Sequence, residues 1–470
     1  MSFSKERKDG TFLKLFEFVF YVIFILLGFY LAFLIRFEMN PSSVNIQPFY
    51  QNMPYIIVTS IIIFYIYDIV LTAKKSLYEN ALTIAISVFL IDIMTVAIVF
   101  FNRGFAFPRS VFIVGFFIQF ILIFFLKITV LNIIKRNRKS QNILLVVSNK
   151  ESNLITKEFL LNKTENDCIK YICNLINQET YKLIDEVDKV YIDSNIPNKD
   201  KLDLIEYCSK KNKILYLVPG MLEIALINSK ITQSNDMLLL KVERFGLSFE
   251  QKVLKRVLDI VISIIGLIIT LPLLLIVSII IKLYDKGPVF YKQERVTENN
   301  KIFNLYKFRT MIVDAEKYTG PVLATERDPR ITPIGRFLRA TRIDELPQLI
   351  NVLKGDMSIV GPRPERPYFV EKFNKEIEEF KYRVFVKAGI TGLAQVLGRY
   401  STDPENKAKF DLLYIKNYSL LLDIKIIFNT FKVIFMKDSS AGVKEDEKVG
   451  DILEKFNLSV YEEVVATKEE

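Results

Sequence analysis

Four long apolar runs fill the first part of the chain, at about Phe18–Ile35, Tyr55–Ala73, Ala81–Phe101 and Val111–Ile134. A helix needs roughly 20 apolar residues to cross a bilayer, so each run predicts a membrane-spanning helix. Asp68, Asp92 and Lys127 interrupt the runs. Charged side chains at membrane depth are costly, which places these three either at polar contacts between helices or near the headgroups. Basic residues cluster in three flanking stretches: Lys5, Arg7 and Lys8; Lys74 and Lys75; then Lys135, Arg136, Arg138 and Lys139. All three fall on one side if every run spans. The opposite loops hold mainly Arg36, Arg103 and Arg109. The positive-inside tendency makes the richer side cytoplasmic, so the chain beyond Lys139 starts in the cytoplasm. No small-residue cleavage site follows the charged start, so the first run is expected to remain as an anchor.

From about Gln141 to Gln251 the pattern changes. Asn142-Ile-Leu-Leu-Val-Val, Lys189-Val-Tyr-Ile-Asp and Lys213-Ile-Leu-Tyr-Leu-Val-Pro read as buried strands, with helical periodicity between them, as in Asp200–Lys211. Alternating strands and helices predict a small parallel α/β domain. A dinucleotide site would need a glycine-rich turn directly after the first strand. That place reads Ser148-Asn149-Lys150-Glu151. The expectation is a Rossmann-like domain without a cofactor motif, and no NAD.

A fifth apolar run, Val261–Ile281, carries no charge and has Pro272 near its middle. Proline removes a backbone hydrogen bond and kinks or breaks a helix. Lys252, Lys255 and Arg256 precede the run; Lys282, Lys286 and Lys292 follow it. A spanning helix would leave one basic flank outside. A re-entrant helix over about 257–282, turning at Pro272, keeps both flanks cytoplasmic. The expected order is a four-helix transmembrane domain (1–139), the α/β domain (140–250), a C-terminal α/β catalytic domain (251–436) and a charged tail (437–470). The tail reads as a mobile extension or a short docking helix.

Composition sharpens this picture. Hydrophobic residues are 51% of the 470 and charged residues still 25%, as expected of membrane and soluble parts in one chain. The formal net charge of +10 suits anionic lipid or phosphate-rich ligands beside membrane helices better than nucleic acid. Three cysteines argue against a disulfide framework. There is no histidine, so chemistry must rest on carboxylates, Lys, Arg, hydroxyls or a hard metal ion.

The densest constellation is Arg336–Pro367. Asp344 and Glu345 are adjacent, and Leu346, Leu349, Ile350 and Leu353 predict a helix ending at Gly355. Pro347 is tolerated in a first helical turn, so the pair is expected at a helix N-terminus, where the dipole favours ionisation. An ionised carboxylate can attack phosphorus or ligate Mg²⁺. Arg339 and Arg342 lie upstream. Gly361-Pro-Arg363-Pro, downstream, is a stiff loop that presents Arg363 at low entropic cost. Phe303–Met311 alternates as a strand with Lys307 and Arg309 on one face and Phe308 on the other, a second candidate phosphate or headgroup surface.

Lys255-Arg256-Val-Leu-Asp259 with Pro272, Tyr306-Lys-Phe-Arg-Thr-Met311, Asp328-Pro-Arg-Ile-Thr332, Asp344-Glu-Leu-Pro-Gln348, Gly361-Pro-Arg-Pro364 and Gly389-Ile-Thr-Gly392 occur in order over about Lys252–Phe435. This series resembles the bacterial polyprenyl-phosphate hexose-1-phosphate transferases, and the front half resembles their large initiating members. The resemblance implies transfer of a sugar-1-phosphate from a UDP-sugar to undecaprenyl phosphate at the bacterial inner membrane, with release of UMP. It implies Asp344 as nucleophile and Glu345 as assistant, through Mg²⁺ or as a base. It also implies Arg339 and Arg363 as phosphate-binding residues and a re-entrant helix at Pro272. Ala388 departs from the family's usual proline before Gly-Ile-Thr-Gly. A homodimer through the middle domain is an expectation with no residue-level support. Two other readings compete. A membrane-anchored nucleotide-sugar dehydratase or epimerase has Tyr368 and Lys372 at the right spacing but lacks the glycine loop. A polysaccharide-assembly scaffold would not need an intact acidic pair.

Overall fold

The computed structural model describes residues 2–69, 76–137, 140–148, 167–174, 176–313, 315, 328–398, 403–434, 458–460 and 464–467. The chain divides into two compact units. One comprises Met1–Arg138 with Phe431–Met436; the other comprises Lys139–Thr430 with Lys437–Glu470.

The first unit is built on helices α1 (Ser2–Arg36), α2 (Ser43–Ile66), α3 (Leu77–Phe101) and α4 (Arg109–Asn137). Among the described residues these four and a later helix are long and apolar enough to cross a membrane. The second predicted run is displaced: α2 starts at Ser43, takes Pro48 and Pro54 into its length, and ends at Ile66. Asp68 therefore lies beyond the helix, with a left-handed φ of 45°. Lys127 proves to be a contact between helices. Its ammonium pairs with Glu17 at 2.7 Å, both side chains being buried. It also donates to the Ile69 carbonyl at 2.9 Å, and the Tyr21 hydroxyl donates to Glu17. Asp92 also faces inward. Lys74, Lys75, Arg138 and Lys139 lie outside the described residues.

The second unit opens with strands β1 (Gln141–Val146), β2 (Asp167–Cys173), β3 (Lys189–Ile192) and β4 (Ile214–Leu217), with α5 (Gln178–Asp185) and α6 (Asn198–Lys210) between them. The four strands are parallel in the order β2-β1-β3-β4. Ile143, Leu144, Leu145 and Val146 are fully buried, as their uninterrupted apolar run requires when both faces of a strand are covered. Ser148, at the end of β1, donates through Oγ to Asp193 at 2.6 Å. The helix α7 (Met221–Leu226) and the exposed hairpin β5 (Lys230–Ser234) and β6 (Met237–Lys241) follow.

The helix α8 spans Phe249–Asp285, 37 residues, and continues through Pro272. The expected break is thus corrected to an uninterrupted helix. The reason is packing on both sides of the proline. Before it, Lys255 pairs with Asp423 at 2.5 Å, Asp259 accepts from Ser358 Oγ and the Ile359 N–H at 2.9 Å each, and Gly266 lies against Leu349. After it, Val277 and Ile281 share an apolar cluster with Phe308 and Leu338. These contacts offset one lost backbone hydrogen bond. The opposite face, including Val261, Ile265, Ile268, Ile269, Ile276 and Ile279, is exposed.

Beyond α8 come the antiparallel pair β7 (Phe290–Val296) and β8 (Ile302–Phe308), then α9 (Pro333–Ala340), α10 (Gln348–Lys354), β9 (Ser358–Val360), α11 (Pro367–Glu376), β10 (Gly389–Thr391), α12 (Leu393–Leu397), α13 (Pro404–Lys416) and α14 (Leu420–Ile434). Phe303, Leu305, Val352, Met357, Val360, Leu412 and Tyr414 form their shared core. Of the charged tail, residues 458–460 and 464–467 are described. They are strands β11 and β12, antiparallel to each other and added beside β2, instead of the expected extension or helix.

Candidate active site

Asp344 and Glu345 lie in a short 3₁₀ turn, Ile343–Glu345, immediately before α10. The expected helix does end at Gly355, whose left-handed φ of 90° suits glycine, but it begins only at Gln348. The pair is therefore not in the helix's first turn, and nearby cations rather than a helix dipole set its charge. Arg342 enters the turn with a left-handed φ of 56°, rare for a side chain this large.

Two cations converge on the same oxygen of Glu345. Lys307 Nζ donates to Oε1 at 3.0 Å and Arg363 Nη2 donates to it at 2.9 Å. Burial opposes ionisation of Glu345, but Lys307, Arg363 and Arg342 outweigh it and hold this carboxyl well below its usual range. Asp344 is 7% exposed, and among the described residues no hydrogen bond engages its carboxylate. Burial pushes it up to about 6, with Lys307, Arg339 and Arg363 pulling down and Glu345 pushing up. The expected phosphate ligands Lys307, Arg339 and Arg363 thus all act on the pair. Arg309 is placed elsewhere: it follows the end of β8, its N–H donates to the Val289 carbonyl, and its guanidinium packs against Gly287, where any Cβ would come within 2.0 Å of Nη1.

Tight backbone crossings hold the loop bearing Arg363. Gly361 and Gly389 meet where β9 runs parallel to β10, and a Cβ on Gly389 would fall 2.1 Å from the Gly361 nitrogen. The Gly361-Pro-Arg-Pro and Gly389-Ile-Thr-Gly motifs are therefore two sides of one contact. Three successive carbonyls beyond Gly361 are also fixed. Arg383 Nη2 donates to the Arg363 carbonyl at 3.0 Å, Arg295 Nη1 to Pro364 at 3.0 Å, and the Val296 N–H to Glu365 at 3.0 Å. Arg295 sits deep enough that burial draws its guanidinium down to about 10, against the pull of Glu365. Sequence reasoning missed the roles of Arg295 and Arg383, because both act on main-chain carbonyls, which leave no side-chain signature.

The other motifs also have structural partners. Arg256 donates to the carbonyls of Val352 and Leu353 at 2.5 and 2.7 Å, closing the end of α10. Asp328 pairs with Arg330 at 2.6 Å, and Thr332 Oγ1 caps α9 by accepting from the Gly335 N–H at 2.9 Å. Tyr368 and Lys372 lie on α11; Tyr368 is exposed, and Lys372 is 3.9 Å from Glu376.

For a hard metal ion the donors are two adjacent carboxylates. Both cations of Glu345 use Oε1. Among the described residues no group of three or more acidic, cysteine or histidine side chains is assembled. The set suits Mg²⁺ only in the manner common to phosphate chemistry, with one or two carboxylates and the remaining oxygens from substrate and water.

A family model described as bacterial sugar transferase matches residues 250–437. A protein of Bacillus subtilis (strain 168), named a putative undecaprenyl-phosphate N-acetylgalactosaminyl 1-phosphate transferase, is 58% identical over 131 residues, 28% of this chain and 73% of that protein. The UDP-N-acetylgalactosamine-undecaprenyl-phosphate N-acetylgalactosaminephosphotransferase of Aeromonas hydrophila is 45% identical over 184 residues, 38% of this chain and 43% of the relative. The undecaprenyl-phosphate galactose phosphotransferase of Salmonella typhimurium is 38% identical over 240 residues, 48% of this chain and 50% of the relative. The match spans about half the length of these last two proteins or less. The family model takes in α8 from residue 250 on, the acidic pair and the loop of Arg363. The chain belongs to the bacterial sugar transferase family.

Proposed function

We propose that this protein transfers a sugar-1-phosphate from a UDP-hexose or UDP-N-acetylhexosamine to undecaprenyl phosphate, releasing UMP. The carrying observation is the contrast within the acidic pair: Glu345 is neutralised by Lys307 and Arg363, whereas Asp344 is buried beside it with its carboxylate unengaged among the described residues. In the first step a carboxylate oxygen of Asp344 bonds to the sugar-bearing phosphorus. The bond from that phosphorus to the bridging oxygen breaks, and UMP leaves with the electron pair. In the second step an oxygen of undecaprenyl phosphate attacks the same phosphorus, releases the Asp344 carboxylate and leaves a lipid-linked sugar diphosphate. Phosphoryl-type transfer depends on positioning and charge neutralisation. Arg339 and Arg363 supply both for the diphosphate, and Lys307 holds Glu345. Asp344 and Glu345 are the residues that would hold Mg²⁺, which would neutralise further negative charge on the diphosphate.

In this reading α1–α4 cross the bacterial inner membrane with the second unit on the cytoplasmic side. Residues 140–250 form a Rossmann-like domain, and 251–436 form the catalytic domain. The exposed apolar face of α8 lies against lipid at the cytoplasmic side, near the headgroup of the acceptor. The test is UMP release from a panel of UDP-sugars with undecaprenyl phosphate and Mg²⁺. Release with one donor, lost in Asp344→Asn, is the expected result. No release with any donor, or undiminished release in the variant, would overturn the assignment.

A further inference from the structure

The buried Arg383 guanidinium joins two places far apart in sequence. Its Nε donates to Asp411 Oδ2 at 2.7 Å, and its Nη2 donates to the main-chain carbonyl of Arg363 at 3.0 Å. The guanidinium lies 4.5 Å from the centre of the Phe380 ring, and both Arg383 and Asp411 are buried. A planar fork held by a carboxylate on one edge and a ring on its face has little freedom left, so the carbonyl it grips is placed closely. The Arg363 side chain is 42% exposed and reaches Glu345 from that fixed backbone. Asp411 belongs to α13, which the middle α/β domain also touches. Asn228 Nδ2 donates to the Lys416 carbonyl at 3.2 Å, Lys409 Nζ lies 3.5 Å from Ser194 Oγ, and Ile224 packs in the core with Leu412.

We propose that Arg383, held by Asp411, is a positioning residue for the transfer reaction. It acts through the carbonyl of Arg363, and α13 makes the middle domain part of the same support. The proposal deepens the transferase reading and rests on it for the reaction assayed. An ordinary buried ion pair would affect stability alone. A positioning residue affects turnover, and only while Arg363 is there to be positioned.

The test is a double-mutant cycle in the full chain in nanodiscs, with UDP-sugar, undecaprenyl phosphate and Mg²⁺, and with UDP binding measured in parallel. Arg383→Lys keeps the cation for Asp411 and loses the fork. It is expected to melt close to wild type and lose roughly 10- to 100-fold in kcat/KM, mostly in kcat. Arg383→Gln should lose at least as much. In an Arg363→Ala background either substitution should change kcat/KM by less than about threefold. Equal losses in both backgrounds, or losses that track only the folded fraction, would overturn the proposal. If the wild type turns over no UDP-sugar but binds UDP, and Arg383→Lys weakens that binding only when Arg363 is present, the transferase reading falls and the positioning role stands. In a wild type without turnover, binding that is unchanged by Arg383→Lys, or no binding at all, would end the positioning role too.

Discussion

Asp344 and Glu345 are adjacent in one 3₁₀ turn, yet their surroundings push their carboxyl groups in opposite directions. Lys307 and Arg363 reach Glu345 Oε1 and keep it ionised, while burial and the neighbouring negative charge make Asp344 the more reluctant acid. Two like groups with separated affinities for protons can take separate roles, in the proposed mechanism a fixed charge and an attacking oxygen.

Asp344→Asn is expected to abolish UMP release without unfolding the protein. Asp344 binds its proton more tightly folded than unfolded, so its stabilising contribution is present below the ordinary pKa of 3.8 and is lost as pH rises through about 6. At pH 7.5 the ionised group is a net cost, and the amide removes it. The variant should be at least as stable as the wild type, by up to about 3 kcal/mol in chemical unfolding. A large loss of stability at pH 7.5 would contradict this account.

The pH profile follows from the same group. Only ionised Asp344 attacks, so kcat/KM should fall about tenfold per pH unit on the acid side of about pH 6. Single-turnover UMP release between pH 4.5 and 8 would locate the limb. A limb near 4 would mean that Asp344 is not the titrating nucleophile.

Glu345→Gln should shift that limb to lower pH, because the substitution removes the repelling charge and leaves Lys307 and Arg363 to act on Asp344 alone. Turnover at the plateau should nevertheless drop roughly 10- to 100-fold, and stability by about 3 kcal/mol, since both cations lose their partner. An unchanged limb with a reduced plateau would separate Glu345 from the electrostatics of Asp344.

Gly361→Ala is expected to damage both stability and activity. Its new methyl would meet the Lys387 carbonyl at 2.3 Å and the Gly389 nitrogen at 3.0 Å. Relief requires the strands β9 and β10 to separate, at a cost of about 2–4 kcal/mol. The displaced loop carries Arg363, so kcat/KM should fall further than the loss of folded protein explains. A melting curve and a turnover assay on the same preparation distinguish the two effects.

Local pattern carried much of this architecture. The four apolar runs were visible in hydropathy, and Gly355 marked the end of α10 because left-handed backbone favours glycine. Asp344, Glu345, Lys307 and Arg363 were legible because they fall within short ordered motifs. The beginning of α2 was obscured by Pro48 and Pro54, which the helix accommodates. Pro272 misled for a related reason: its local preference for a break is overruled by distant partners, Leu349 on one side and Leu338 on the other. The strands at 458–460 and 464–467 depend on pairing with β2, nearly three hundred positions away, which no local window contains. The niche that Gly287 leaves for the Arg309 guanidinium was not legible, because alternation predicts a face but not what occupies it.

The continuity of α8 makes it a ruler for the catalytic centre. Gly266 meets Leu349, just after the acidic pair, while Leu274 and Ile343, the latter just before the pair, pack against one cluster that includes Val277. The pair is thus bracketed in sequence by two marks on one rod. Adding a single residue between Gly266 and Leu274 would turn the second mark by about 100° and slide it by about 1.5 Å. In the proposed mechanism the depth and facing of the Asp344 carboxylate are then a matter of helical phase, set by the number of residues between Gly266 and Leu274.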